Sequence, residues 1–357
     1  LTTGAAASSI DVLRLDLDPA TYDDVDWERI TRVVVVPFLQ DDGRLVLVDA
    51  AGGLSVPGGD VGAGEDPFLD ATLRVPLEQA GFRNQHVEVF AAGRDTVAVW
   101  SDGYRYDGRR PHGTAAWWIG DAAEGAGRLR AQGDADPARL VTMADQARRS
   151  LTDDDFIANS VRHLEAAYLD SRNTSPCQGS GFGGTEDEWF ARRSHLRQVV
   201  DRDGTFLDVG CANGLLLESL VAWCAEDGHR IVPFGVDLSA GLVAEAIGRL
   251  PQWSDHFFVG NALTWTADDG RRFDFVHALL DLVPPARRAE LVTHVRDEVA
   301  APGGRVIISY YVPIDRTDQW PRAVLESMGH RVAGETVPDP HDPRPVPPSA
   351  WIDVDRL

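Results

Sequence analysis

The stretch "FLDVGCANG", Phe206–Gly214, decides how the second half of this chain is read. Apolar residues run into small ones, the pattern of a strand that ends in a tight turn and opens a helix. Small residues at Gly210, Ala212 and Gly214 let the backbone approach a ligand closely. The helix that follows offers unpaired backbone N–H groups at its start. The spacing is not that of the dinucleotide fingerprint GxGxxG, whose third glycine packs helix on strand. Here the small residues fall two apart and Leu215 follows. Asp208, on the entry strand, would repel a pyrophosphate and suits a cationic group such as an amino-acid ammonium.

Outward from this turn, helix and strand alternate. Strands are expected at 205–210, 231–237, 256–260, 273–279 and 305–311, with helices at 185–200, 213–226, 239–250 and 285–299. Repeated βα units imply an α/β architecture with a doubly wound, Rossmann-like parallel sheet. The C-terminal "HRVAGETV…SAWIDV" reads as two strands around a Pro-rich loop, an antiparallel addition at the sheet edge. Asp237 ends the second strand in "FGVDLS", where a carboxylate can accept both hydroxyls of a ribose. Asn261 closes the third strand in "VGNAL", within reach of an adenine edge.

Asp208, Gly210, Gly214, Asp237 and Asn261 thus fall in order, each at an expected strand end. In this arrangement 185–357 resembles the class I S-adenosylmethionine-dependent methyltransferases. The resemblance implies S-adenosylmethionine as cofactor, its amino-acid arm at Asp208, Gly210, Cys211, Ala212 and Gly214. It implies the ribose on Asp237 beside Leu238, and the adenine at Asn261 and Ala262, with Leu279 completing the cofactor set. The family more often has Asp where this chain has Asn261, and Asn also accepts from an amino group. The run "SGFGGTEDEWFARR", 180–193, resembles a leader that folds over the cofactor in small-molecule methyltransferases, with Trp189 and Phe182 as candidate contacts.

Methyl transfer is an in-line displacement at a sulfonium, and needs an aligned nucleophile and often a base. The fourth-strand end, "FDFVHALLDLVPP", lies where substrate meets cofactor in such a fold, so Asp281 and His277 are candidate catalytic groups. His277 lies within the strand and reads equally as a satisfied core histidine. Tyr310, beside Tyr311 at the end of the fifth strand, is a third candidate, with edge packing as its plain alternative.

The first half is different. Strands at 32–38 and 44–50 flank "LQDDG", a hairpin signal, and further strands are expected at 87–93, 95–100 and 114–121. Helices follow at 138–149 and 153–169, giving an α+β arrangement. Within it, "SVPGGDVGAGEDPFLDATLRVPLEQAGF", Ser55–Phe82, resembles the Nudix box. Gly59 and Glu65 keep the opening spacing, and Arg74, Glu78, Gly81 and Phe82 match after one extra residue. Val75 and Gln79 stand where the box has glutamates. Positions 75, 78 and 79 share one helix face, the face whose carboxylates would hold Mg²⁺. Only Glu78 remains, so no metal site is expected. Pro76, at a helix-interior cost of roughly 3 kcal/mol, is expected to bend or shorten that helix.

The expected organisation is a Nudix-like, non-hydrolytic domain over 1–170, then a methyltransferase domain over 171–357 that opens with a lid or linker, 171–190. The acceptor is expected to be small and polar, nucleotide-like or a natural product. Two rivals stand beside this reading: a bifunctional enzyme whose first half still hydrolyses, and a cofactor-binding sensor without catalysis. A formal charge of −22 disfavours nucleic acid and anionic membranes as partners. The partners left are a small-molecule substrate and a second copy of the chain. Three cysteines without CxxC pairing indicate neither zinc site nor disulfide framework. With no secretion signal at the start, "LTTGAAASSIDVL", a cytoplasmic location is expected. All 34 residues counted as Lys or Arg are Arg, which excludes Schiff-base and P-loop lysines.

Overall fold

The computed structural model describes residues 16–50, 53–105, 116–170, 172–180, 184–312, 314, 316–342 and 345–355, so the candidate lid residue Phe182 lies outside it. The chain separates into two compact units between Ser160 and Val161.

The first unit contains β1 (Asp18–Pro19), β2 (Arg32–Leu39), β3 (Leu45–Ala50), β4 (Gly53–Ser55), β5 (Gly58–Asp60), α1 (Thr72–Ala80), β6 (Phe82–Ala92), β7 (Thr96–Arg105) and β8 (Ala116–Gly120). Helices α2 (Ala122–Ala131), α3 (Ala135–Ser150) and α4 (Asp153–Tyr168) follow, α4 continuing into the second unit. The strands form one mixed sheet in the order β1-β6-β7-β2-β3-β4, with β5 on β2 and β8 on β3. Strand β2 is central, and its run of four valines is buried on both faces. Val33 and Val35 pack with Val75 of α1, while Val34, Val36 and Phe38 pack with Leu129 of α2 and Leu140 and Val141 of α3. Burial on both faces explains why this strand is continuously apolar.

Pro76 sits inside α1, and the helix runs through it. The proline cannot donate to Thr72 O; Asn84 of β6 supplies that bond instead, its Nδ2 lying 2.9 Å from Thr72 O. A wide turn over Pro67–Ala71 leads into the helix, started by Asp66, whose Oδ1 accepts from the Phe68 and Leu69 N–H groups.

The second unit contains α5 (Glu186–Arg193), β9 (Gly204–Val209), α6 (Leu215–Glu226), β10 (Ile231–Asp237), α7 (Ala240–Arg249), β11 (Phe257–Val259), β12 (Phe273–Leu279), α8 (Arg288–His294), β13 (Ala300–Ser309), α9 (Pro321–Ser327), β14 (Gly334–Glu335) and β15 (Ala350–Asp353). The sheet order is β11-β10-β9-β12-β13-β15-β14, and the first five strands are parallel. Helices cover both faces. Phe206, Phe275 and Ile307 pack against α6 and α7, while Leu207, Val276, Val306 and Ile308 pack against α8 and α9. This is the doubly wound sheet that the alternation implies.

One detail differs. The antiparallel strand β15 is not the edge; it lies between β13 and β14, pairing antiparallel with both. Ala350 and Ile352 are buried, so β15 belongs to the core, while β14 is a two-residue rim. Among the described residues no helix is long and apolar enough to cross a membrane, and the three cysteines are free and buried.

Candidate functional site

The chain leaves β9, builds β10 and β11 on one side, then returns to build β12 on the other. The carboxyl ends of β9 and β12 therefore flank a topological switch point, where open α/β sheets form a ligand crevice. Asp208 and His277, on β9 and β12, face each other there.

Beyond Val209 the backbone turns through Gly210 at φ 81°, Ala212 at φ 45° and Gly214 at φ 76°. Gly210 and Cys211 both donate N–H to Val236 O, at 2.8 and 3.1 Å. A Cβ on Gly210 would lie 2.5 Å from Leu282 Cδ2, so a side chain there would collide with the segment after β12. Ala212 occupies a conformation alanine rarely adopts, and Asp237 holds it. Asp237 Oδ2 accepts the Ala212 N–H at 2.9 Å, and Oδ1 accepts the Ser239 N–H at 2.9 Å. Burial raises the Asp237 carboxyl above the ordinary range, and those two N–H groups oppose the rise. Asp237 thus fixes the turn as well as ending β10, with the half-buried Leu238 beside it.

Asp208 is buried one residue before Val209, and its Oδ1 lies 2.7 Å from His277 Nδ1 on the neighbouring strand β12. Burial raises its carboxyl, and the His277 bond opposes that shift. Burial pushes the Cys211 thiol well up, so Cys211 is a neutral packing residue of the turn. On β11's exit, Asn261 Oδ1 accepts the Leu263 N–H at 2.9 Å, shaping a turn whose Ala262 is half-buried. Leu279, at the end of β12, is half-buried as well.

Asp281 follows on a short turn, Leu280–Leu282. Its side chain reaches solvent, yet protein atoms crowd it, as they do a group lining a recess. That desolvation raises its carboxyl, while its own backbone N–H and then the charges of Arg288 and Arg193 oppose the rise. Tyr168, at the end of α4, is crowded in the same way, and burial with the fields of Asp281 and Asp237 pushes its hydroxyl up to about 12. Arg193 places its guanidinium 3.9 Å from the Tyr311 ring centroid. Burial raises the Tyr311 hydroxyl, and the Arg193 charge opposes that rise. Arg193 is thus the cation whose field reaches Asp208, Asp281, Tyr168 and Tyr311.

Three candidates are placed differently from expectation. Tyr310 is fully buried, and its hydroxyl accepts from Arg288 Nη2 at 2.7 Å, so it is core rather than substrate wall. His277 is sealed in the sheet with both ring nitrogens engaged, Nε2 lying 2.9 Å from Ser309 Oγ, and it cannot reach a substrate proton. Trp189 packs among Leu196, Leu217 and Leu220, and its Nε1–H donates to Ser219 Oγ on α6 at 3.0 Å, so it anchors α5. The preceding segment does approach the turn: Asn213 Nδ2 donates to Pro176 O at 3.0 Å, and Cys177 is buried in the same cluster.

Tyr168 and Arg193 were not singled out by sequence reasoning. Tyr168 ends a helix that read as part of the first domain, and Arg193 lies in the quoted leader, where only aromatic residues drew attention. Ser239, which caps α7 and donates to Glu165 Oε1 at 2.6 Å, tethers α4 to this end of the sheet.

In the first unit, the Nudix-box positions are engaged otherwise. Arg74 bonds both Glu65 oxygens, at 2.6 and 2.9 Å, and Glu78 Oε2 at 3.0 Å. Gln79 makes a reciprocal pair with the Gly58 backbone, at 3.1 and 2.7 Å, and Val75 is buried. Two carboxylates bridged by one guanidinium, with an amide and an isopropyl group beside them, are a poor donor set for Mg²⁺.

No protein-family model matches this sequence, and no curated protein does. Among solved structures, magnesium protoporphyrin IX methyltransferase from Synechocystis, with S-adenosylmethionine bound, aligns over 58% of this chain and 99% of its own, at 16% identity and a TM-score of 0.37. A methyltransferase from Thiobacillus denitrificans in complex with S-adenosylhomocysteine aligns over 41% and 54%, at 18% identity and 0.28. The [4+2]-cyclase SpnF aligns over 46% and 62%, at 19% identity and 0.32. One fold hosts many chemistries, so activity is argued from the site.

Proposed function

We propose that the second unit binds S-adenosylmethionine and transfers its methyl group to a small polar acceptor. The observation that carries this reading is the switch point itself. A strained, glycine-bounded turn ends β9, Asp208 stands beneath it, and Asp237 ends the adjacent strand. The turn and Asp208 would take the amino-acid arm, Asp237 the ribose and Asn261 the adenine. Leu238, Ala262 and Leu279 would form the apolar walls. The cofactor supplies an electrophilic methyl on a sulfonium. This chain's part is to bind, orient and exclude water. Asp281 is the group to accept a proton from the acceptor, because its raised carboxyl is a stronger base than an ordinary aspartate. Tyr311 and Tyr168 would flank the acceptor, with Arg193 balancing the carboxylates of Asp208 and Asp281.

Calorimetric titration tests this directly. S-adenosylhomocysteine and S-adenosylmethionine are expected to bind, and NAD is not. Tight NAD binding with no response to the other two would overturn the reading.

The first unit is, on this account, a Nudix-like domain that does not hydrolyse, because Arg74 occupies both surviving glutamates. No Mg²⁺-dependent phosphate release is expected from a panel of nucleoside diphosphate derivatives. Release that Glu78→Gln abolishes would show a working hydrolase instead.

A further inference from the structure

A line of buried polar groups crosses the second sheet on its α6 face. Asp208 Oδ1 meets His277 Nδ1 at 2.7 Å, and His277 Nε2 meets Ser309 Oγ at 2.9 Å. Ser309 Oγ meets Ser349 Oγ at 2.6 Å. The Ser349 N–H donates to Thr336 Oγ1 at 2.8 Å, which lies 2.8 Å from His195 Nδ1. Each of the six is at most 3% exposed. The line spans β9, β12 and the ends of β13, β14 and β15.

Donor and acceptor roles follow from the chemistry. An ionised Asp208 can only accept, so His277 carries its proton on Nδ1. In the neutral ring Nε2 then accepts, which draws the Ser309 hydroxyl proton toward it. Ser309 Oγ in turn accepts from the Ser349 hydroxyl, so every hydroxyl hydrogen of that segment is used. The opposite tautomer would set an Nδ1 lone pair 2.7 Å from a carboxylate oxygen. Among the described residues, Asp208 Oδ2 takes no hydrogen bond.

We propose that His277 is a positioning residue. Carrying its proton on Nδ1, with Nε2 satisfied by the Ser309–Ser349 hydroxyl pair, it holds Asp208 as a carboxylate whose Oδ2 is left for the ammonium of the cofactor's amino-acid arm. This rests on the methyltransferase reading. Without a donor at Oδ1, a carboxylate this buried would take up a proton and lose its attraction for the ammonium.

The test compares S-adenosylhomocysteine, which has that arm, with 5′-methylthioadenosine, which shares the nucleoside and sulfur but lacks it. His277→Leu should weaken S-adenosylhomocysteine by about 10- to 100-fold, the range of a charge-assisted hydrogen bond. It should leave 5′-methylthioadenosine within about 3-fold. His277→Asn, which keeps an N–H facing Asp208, should restore most of the loss. Equal losses for both probes, or none for either, would overturn the proposal. Wild-type protein that binds neither probe would remove the methyltransferase reading instead. Imidazole ¹⁵N shifts of the wild-type protein then still decide the His277 assignment, whether or not the variants fold: an Nδ1–H ring supports it, and an Nε2–H ring overturns it.

Discussion

Asp237→Ala is expected to weaken S-adenosylhomocysteine binding by about 100-fold or more. Two contributions add. A carboxylate that accepts both ribose hydroxyls makes hydrogen bonds worth about 1.5–3 kcal/mol each, and alanine makes none. The same oxygens hold the Ala212 and Ser239 N–H groups, both at 2.9 Å. Their loss releases Ala212 from its φ of 45° and loosens the turn that would carry the amino-acid arm. The variant should also lose stability, by roughly 1–3 kcal/mol for each N–H left unpaired. Circular dichroism and thermal melts beside the titration separate the two effects. A folded variant with unchanged affinity would remove the ribose assignment.

The second large effect is acid sensitivity at His195. Burial depresses its imidazole from 6.5 to about 4. The depressed value means that the folded state binds the proton more weakly than the unfolded chain does. The neutral ring's contribution is therefore intact above pH 6.5 and is lost as pH falls toward 4. One such group amounts to about 3 kcal/mol across that window. The carboxylates Asp208, Asp237 and Asp281 act in the opposite sense, since their raised values favour the folded state when protonated. The informative quantity is thus a difference between proteins. His195→Asn, which can still bond Thr336, should gain about 3 kcal/mol on the wild type between pH 7 and pH 4 in urea unfolding. A constant difference would show that His195 does not carry the pH dependence.

Much of the second unit was legible because its strands are short apolar runs closed by glycine or aspartate. Each strand read between 205 and 311 is present, with ends moved by a few residues. The turn at Gly210–Gly214 and the strand-end position of Asp237 follow from the same punctuation. The choice between Tyr310 and Tyr311 did not. Neighbours on a strand point to opposite faces, and only the packing shows that Tyr310 shares a core with Val306 and Ile308. Helix α2 was missed because Gly125 and Gly127 lower its intrinsic helicity by about 1 kcal/mol each. Packing decides otherwise: a Cβ at Gly125 would lie 2.5 Å from Leu45 Cδ2, so the glycine lets α2 close on the sheet. Pro76 misled in the reverse direction, since the donor it lacks comes from Asn84, distant enough in sequence to be invisible beforehand. The placement of β15 inside the sheet was hidden too, because order among terminal strands is set by tertiary pairing and not by their own pattern.

The central claim is that a cofactor lies across the carboxyl ends of β9, β10 and β12. A crystal structure with S-adenosylhomocysteine bound tests it most directly. The account places the amino-acid arm against Gly210–Gly214 with its ammonium on Asp208, the ribose hydroxyls on Asp237, and the sulfur facing Asp281 and Tyr311. A ligand seated in the first unit, or a ribose that leaves Asp237 untouched, would contradict it.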